Sequence, residues 1–284
     1  MYEFLTDLRQ YPFLQNALLT GLLAGVACGV IGTYIVVRRI SYIAGGIAHS
    51  VLAGLGAAFY LQRVHHWSAL QPVYGALVVA VIAAITIGLV SLKARQREDT
   101  AISALWAVGM AIGIVFISMT PGYNEELMGY LFGNILLVSS SELWMLGGLD
   151  VIIVVLGLLF YNQFLAVCFD QEFARLRGMN VEFFYLLLLA LAALTVVILA
   201  TVVGIVMVVA LLTLPVAIAA LFCRTLWMMM IVSTVLCVAF TTSGLAISYS
   251  PDYPTGATTI LIAGFAYLFA ITFRWIGDRI RTKY

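Results

Sequence analysis

Charge is what this chain of 284 residues has least of. Asp, Glu, Lys and Arg make up 10% of it against 64% hydrophobic residues, and the mean hydropathy is +1.10. A soluble domain of this length needs far more polar surface to cover its core. The excess apolar surface has to face lipid, and the chain reads as a polytopic membrane protein. No basic patch interleaves with aromatics and no polar segment reaches domain length, so no nucleic-acid partner is expected at a formal net charge of +1. The 4 cysteines, Cys28, Cys168, Cys223 and Cys237, are far apart and form no CxxC pair. Neither a disulfide framework nor a structural zinc site follows from them, and they read as small apolar fillers. No GxxxxGK[ST] loop occurs, so any ATP that drives this protein is bound by another chain. No HExxH and no Ser/His pair at helical spacing occurs, which counts against an intramembrane enzyme. The opening residues, MYEFLTDLRQYP, lack a basic n-region, and no cleaved signal peptide is expected.

What is present is a succession of apolar runs, read against the roughly 20 residues a helix needs to cross a bilayer. They lie near 14–37, 44–61, 73–92, 102–119, 143–161, 183–201, 205–223, 227–248 and 257–273. The expected fold class is therefore an all-α bundle of about nine transmembrane helices, forming one domain over 1–284. The block 183–223 is too long for a single crossing and predicts a tight turn near Gly204. Basic residues set the orientation. Arg38, Arg39, Lys93, Arg95, Arg97, Arg175, Arg177, Arg224, Arg274, Arg279, Arg281 and Lys283 fall on one side of a nine-span arrangement; Arg9 and Arg63 fall on the other. The N-terminus is then outside and the C-terminus cytoplasmic. Without the turn near Gly204 the later basic residues would not alternate correctly. The outer face carries Glu3, Asp7, Glu125, Glu126, Glu142 and Asp252, an acidic balance that mildly favours cations at the mouth and that ordinary solvated loops explain equally well.

Two connecting segments are more than plain loops. Residues 120–140, TPGYNEELMGYLFGNILLVSS, turn from polar to apolar in a run too short to span. They predict a short helix over 125–138 at the outer surface, broken near Gly133-Asn134. Residues 162–182 are cytoplasmic, and their core DQEFARLRGMN predicts a short helix with charges on one side and Gly178 as its stop.

Inside the apolar runs two ionisable side chains remain, His49 and Asp150. Such groups cost several kcal/mol by insertion scales, and they face a cavity or a partner more often than lipid. His49 lies in AGGIAHSVLAG, where Gly45-Gly46, Gly54 and Gly56 suggest an irregular helix beside a pore. A neutral imidazole is a common ligand for first-row metals, and a histidine hydrogen-bonded to a neighbouring helix or a water is the equally weighted bland reading. Asp150, about two turns into the fifth run, is either neutral and paired to a backbone donor or an oxygen ligand complementing His49. His65 and His66 in the outer loop read as a solvated pair, and Met228, Met229 and Met230 as packing or lipid-facing residues.

The segments AGGIAHSVLAG, LMGYLFGNILLVS, FDQEFARLRGMN, VVGIVMVVALLTLPVAIA and PTGATTILIAGFAYL, in this order and spacing, resemble the membrane permease of metal-type ABC importers. The resemblance runs from about 14 to 275. It implies a fold similar to the cobalamin-type permeases, a dimer with the pore between two copies, two ATP-binding subunits at the cytoplasmic face and an external metal-binding protein. It implies no cofactor of the chain's own. Zinc is the first expected cargo, with manganese or iron next, and the setting is the inner membrane of a bacterium. DQEFARLRGMN resembles the segment that docks into the ATPase, which assigns that role to Asp170, Glu172, Ala174, Arg175 and Gly178. The 125–138 helix resembles an external gate, with Leu131, Phe132, Gly133 and Asn134 beside the pore mouth. His49 matches the family's histidine, but the Asp that many members carry four residues earlier, one helical turn away, is Gly45 here. Either His49 works with another donor such as Asp150, or the site is weaker, or the cargo differs; loss of a hard oxygen ligand tilts a site towards zinc. A permease for a metal chelate stays open. A self-contained secondary transporter predicts inverted repeats and a chain of ionisable groups across the membrane, and neither is evident.

Overall fold

Gly204 shows how this sequence breaks its longest apolar block. The residue stands alone between two helices with φ 89° and ψ 150°, a backbone region open in practice only to glycine. The computed structural model describes residues 2–67, 70–93, 98–121, 133, 135–251 and 253–281. Its helices are α1 (Tyr2–Gln10), α2 (Pro12–Val37), α3 (Ser41–Val64), α4 (Pro72–Lys93), α5 (Glu98–Ser118), α6 (Ser140–Leu159), α7 (Tyr161–Phe169), α8 (Gln171–Leu176), α9 (Val181–Val203), α10 (Ile205–Phe222), α11 (Leu226–Tyr249) and α12 (Thr255–Arg281). Among the described residues nine of these are long and apolar enough to cross a membrane. Each overlaps one of the nine expected runs, most ends agreeing to within three residues and α12 running eight residues further, and no strand occurs among the described residues. The chain is an all-α, polytopic bundle.

α2, α3 and α9 are the inner helices, and α4, α5, α6 and α12 expose most of their length. Between apolar helices in lipid the hydrophobic effect does little, so close backbone approach and interhelical hydrogen bonds carry the packing. The seam between α2 and α11 shows this. Gly21, Gly25 and Gly29 leave no room for a Cβ beneath Thr241, Val238 and Thr234. Ser233 Oγ donates to the Gly29 carbonyl at 3.1 Å and lies 3.2 Å from Thr33 Oγ1. Tyr34 donates its hydroxyl to the Gly157 carbonyl at 3.2 Å, tying α2 to α6.

α3 is gripped by α4 and α5. Gly54 meets the backbone of Gly75, while Gly109 and Gly113 of α5 meet Ser50 and Leu52. Ser50 Oγ is shared between the Gly46 carbonyl at 2.7 Å and the Leu105 carbonyl at 3.1 Å. The contacts Gly46–Ile102, Ser50–Gly109 and Leu52–Gly113 advance together along both helices, so α3 and α5 run parallel and in register. α3 is an unbroken helix from Ser41 to Val64. Its glycines permit close packing rather than a break, which corrects the expectation of an irregular segment at Gly45-Gly46.

Candidate metal passage

The α3–α5 register fixes the surroundings of His49. Tyr42, Gly45 and His49 are spaced three and four apart and share one face of α3. Ser103, Trp106 and Met110 repeat the spacing on α5. The imidazole of His49 stacks on the indole of Trp106, with ring centres 4.4 Å apart and planes 5° from parallel. The indole Nε1–H donates to Met110 Sδ at 3.1 Å, which holds the ring that in turn holds the imidazole. His49 is half-buried. Among the described residues no side chain or backbone group of a neighbouring helix hydrogen-bonds its ring nitrogens. A ring held by its face keeps the in-plane lone pair of its neutral form free for a cation.

The position one turn before His49 is open. A Cβ added at Gly45 meets nothing within 4 Å, whereas one at Gly46 lies 2.6 Å from Ile102 Cγ2. The first glycine leaves space and the second is required for packing. Beside them, Tyr42 Oη and Ser103 Oγ lie 2.6 Å apart, and the Tyr42 ring centre is 6.0 Å from that of Trp106. Tyr42, Ser103, Trp106, Ala107, Met110, Ala111 and Ile114 line a groove of about 490 Å³ along α5.

Asp150 sits elsewhere. It is 8% exposed on the face of α6 that carries Leu146, Leu149 and Ile153. Its Oδ2 has no hydrogen-bond partner among the described residues. α6 packs chiefly on α2, with α9 and α7 next, while α3 packs chiefly on α5 and α4. The structure therefore does not join Asp150 to His49. Among the described residues no three His, Cys, Asp or Glu side chains converge on a cation position.

The segment 162–182, expected on the cytoplasmic side, folds as α7, α8 and the start of α9. Asp170 caps α8, its Oδ1 accepting the Phe173 N–H at 2.9 Å. Ala174 is buried, while Glu172 and Arg175 are exposed. Gly178, at φ 76°, ends the helix: its N–H donates to the Arg175 carbonyl at 2.9 Å, and the Met179 N–H reaches the Ala174 carbonyl at 3.1 Å, the wrapped ending that favours glycine. The exposed side is not purely charged. Phe169, Phe173 and Leu176 project from it, Leu176 at 88% exposure, and the Arg177 guanidinium lies over the Phe173 ring at 5.0 Å.

Of the expected gate, Leu131, Phe132 and Asn134 lie outside the described residues. Gly133 has φ 69° and rests on the Val203–Gly204 peptide. It is followed by a single 3₁₀ turn, Ile135–Leu137, packed on α2. Tyr42, Ser103, Trp106 and Met110 were not marked out by sequence reasoning. The signal available for them was the repeated three-four spacing, legible only once α3 and α5 are known to be partners.

A model of the ABC 3 transport family matches residues 10–274. The chain belongs to the ABC 3 transport family. It is 44% identical over 249 residues to a probable metal transport system membrane protein of Chlamydia pneumoniae, covering 88% of this chain and 85% of that protein. It is 37% identical to the manganese transport system membrane protein MntC of Listeria monocytogenes, covering 95% and 94%. Among solved structures it superposes on PsaBC from Streptococcus pneumoniae, determined in complex with Fab, with TM-score 0.84 and 32% identity over 95% of this chain and 94% of that one. An inward-facing metal-chelate type ABC transporter shares the fold, with TM-score 0.66 and 17% identity over 94% and 89%. The family member described here is thus a multi-pass permease with the type II ABC importer fold. The expected preference for zinc finds no specific support among these relatives, whose named metal is manganese.

Proposed function

We propose that this chain is the permease subunit of an ATP-driven importer that carries a divalent metal ion inward by alternating access. Manganese is the first cargo, with zinc and iron after it. The observation that carries the reading is His49: an imidazole in the apolar bundle, held face-on by Trp106, with no hydrogen bond to its nitrogens among the described residues and an open turn of helix at Gly45 beside it. The imidazole replaces part of the hydration shell that the ion sheds on entering the apolar midsection. Manganese leads because relatives with a named metal carry that name.

The chain does no covalent chemistry. Two copies enclose the pore, two ATP-binding subunits sit on the cytoplasmic side, and an external metal-binding protein delivers the ion. The N-terminus is outside and the C-terminus is in the bacterial cytoplasm. Docking to the ATPase falls to α8 and its flanks. Exposed Phe169, Phe173 and Leu176 supply apolar anchors, and Glu172 and Arg175 the rim. The family's gate role is carried over to Leu131, Phe132, Gly133 and Asn134. Asp150, away from α3, has no part in capturing the ion at His49. A metal chelate is the second reading, favoured by the empty space at Gly45.

ATP-dependent uptake into vesicles holding the chain with its ATPase and binding protein tests the assignment. Manganese is expected to enter faster than zinc or iron. Uptake of zinc alone would overturn the order of cargoes, and entry of a chelate with no bare ion transported would replace the first reading by the second.

A further inference from the structure

We propose that the hydroxyl pair of Tyr42 and Ser103 is a second cation station, on the cytoplasmic side of His49, which takes the ion from the imidazole as it leaves the membrane. The inference rests on the reading of His49 as the pore ligand.

Register places the pair on the ion's way. Tyr42 and His49 share a face of α3 and are seven residues apart, about 10 Å of helical rise. α3 begins at Ser41, directly after Arg38 and Arg39, so Tyr42 belongs to the cytoplasmic end on the orientation that the basic residues dictate. Gly45 lies between them, and open space surrounds the position its Cβ would take. The wall beside the gap is continuous: the Trp106 ring touches His49 at 4.4 Å and lies 6.0 Å from Tyr42. Electron-rich aromatic surface of this kind attracts cations.

Chemistry makes the pair a receiver. At 2.6 Å apart one hydroxyl donates to the other, so lone pairs on both oxygens stay available. Both donors are hard, neutral oxygens, which suit manganese better than softer ions. The one thioether lining this groove, Met110, is taken up by the indole N–H at 3.1 Å, which leaves oxygen as the groove's donor. A neutral pair holds a divalent ion weakly. Positive charge at Arg39 and Arg38, three and four residues before Tyr42, favours its release into the cytoplasm rather than its retention.

The bland role for the pair is a hydrogen bond tying α3 to α5. The close backbone contacts along the rest of that seam remain in either hydroxyl variant, and Tyr42→Phe keeps the ring and removes the oxygen alone. The test is initial uptake of manganese alone into vesicles with the complete importer, as a function of external concentration. It compares the wild type, Tyr42→Phe, Ser103→Ala and His49→Ala at matched protein content. Each hydroxyl variant is expected to lower Vmax by between about twofold and tenfold, the worth of one neutral hydroxyl contact, with KM unchanged because capture lies upstream. Each is also expected to lower the ratio of manganese to zinc uptake. Wild-type Vmax and ratio in both hydroxyl variants, beside a His49→Ala variant that fails to transport, would overturn the station and leave the imidazole's role standing. Normal transport by His49→Ala would overturn both.

Discussion

Gly133 lies directly on the Val203–Gly204 peptide, so close that its Cβ, if it had one, would occupy the Val203 carbonyl group. Two positive-φ glycines thus meet at the break between α9 and α10. Replacing either is costly for different reasons. Gly204→Ala forces an L-residue into a glycine-only region, worth roughly 1–3 kcal/mol; Gly133→Ala adds a collision to its own strain. Both variants are expected to unfold at lower temperature in detergent. The thermal midpoint of purified protein checks this, with Gly264→Ala, whose Cβ meets nothing, as a control at or above the parent's midpoint.

Gly45 and Gly46 are adjacent but should respond oppositely. Gly45→Asp has room to enter and supplies the carboxylate that many family members carry one turn before the histidine. It is expected to fold and to lower the KM for manganese uptake. Gly46→Asp drives an unpaired carboxylate into Ile102 and is expected to fail in folding. Concentration-dependent uptake and the yield of monodisperse protein separate the two outcomes.

Trp106 holds the imidazole by its face, and such a ring pair is worth about 0.5–1.5 kcal/mol beyond its buried area. Trp106→Leu is expected to leave folding intact while weakening manganese capture several-fold, seen as a raised KM. Trp106→Phe, which restores a ring, is expected to recover part of the loss. A KM unmoved by both substitutions would show that the stack does not position His49 for the ion.

The exposed trio Phe169, Phe173 and Leu176 makes a prediction that does not involve the metal. Phe173→Ser and Leu176→Ser remove apolar side chains that are largely exposed in this chain. The permease is expected to fold normally and to lose its ATPase subunit on purification, with uptake falling in parallel. Retention of the ATPase by both variants would place the docking surface elsewhere.

The sequence made most of the architecture legible for a physical reason. A lipid-exposed helix has to be apolar along its whole length, so the nine runs announced themselves, and a 41-residue apolar block (183–223) has to break somewhere. Gly204 was the residue able to do it. His49 was legible because an imidazole is costly in lipid. What stayed hidden depends on which helices become neighbours. Tyr42, Ser103, Trp106 and Met110 are unremarkable in apolar runs, and their alignment exists only because α3 and α5 pack in parallel register. Asp150 was the opposite case: conspicuous in sequence and tempting as a partner, yet set on a helix that packs against α2. The charges of the segment DQEFARLRGMN drew attention in sequence, while its exposed Phe173 and Leu176 resembled ordinary buried positions.

The central claim is that the ion crosses by way of His49. The most direct measurement is ATP-driven manganese uptake at limiting metal, wild type against His49→Ala, in vesicles with the ATPase and binding protein present and ATP turnover recorded alongside. Loss of uptake with the assembled complex still hydrolysing ATP is the predicted result. Uptake at the wild-type rate would contradict it.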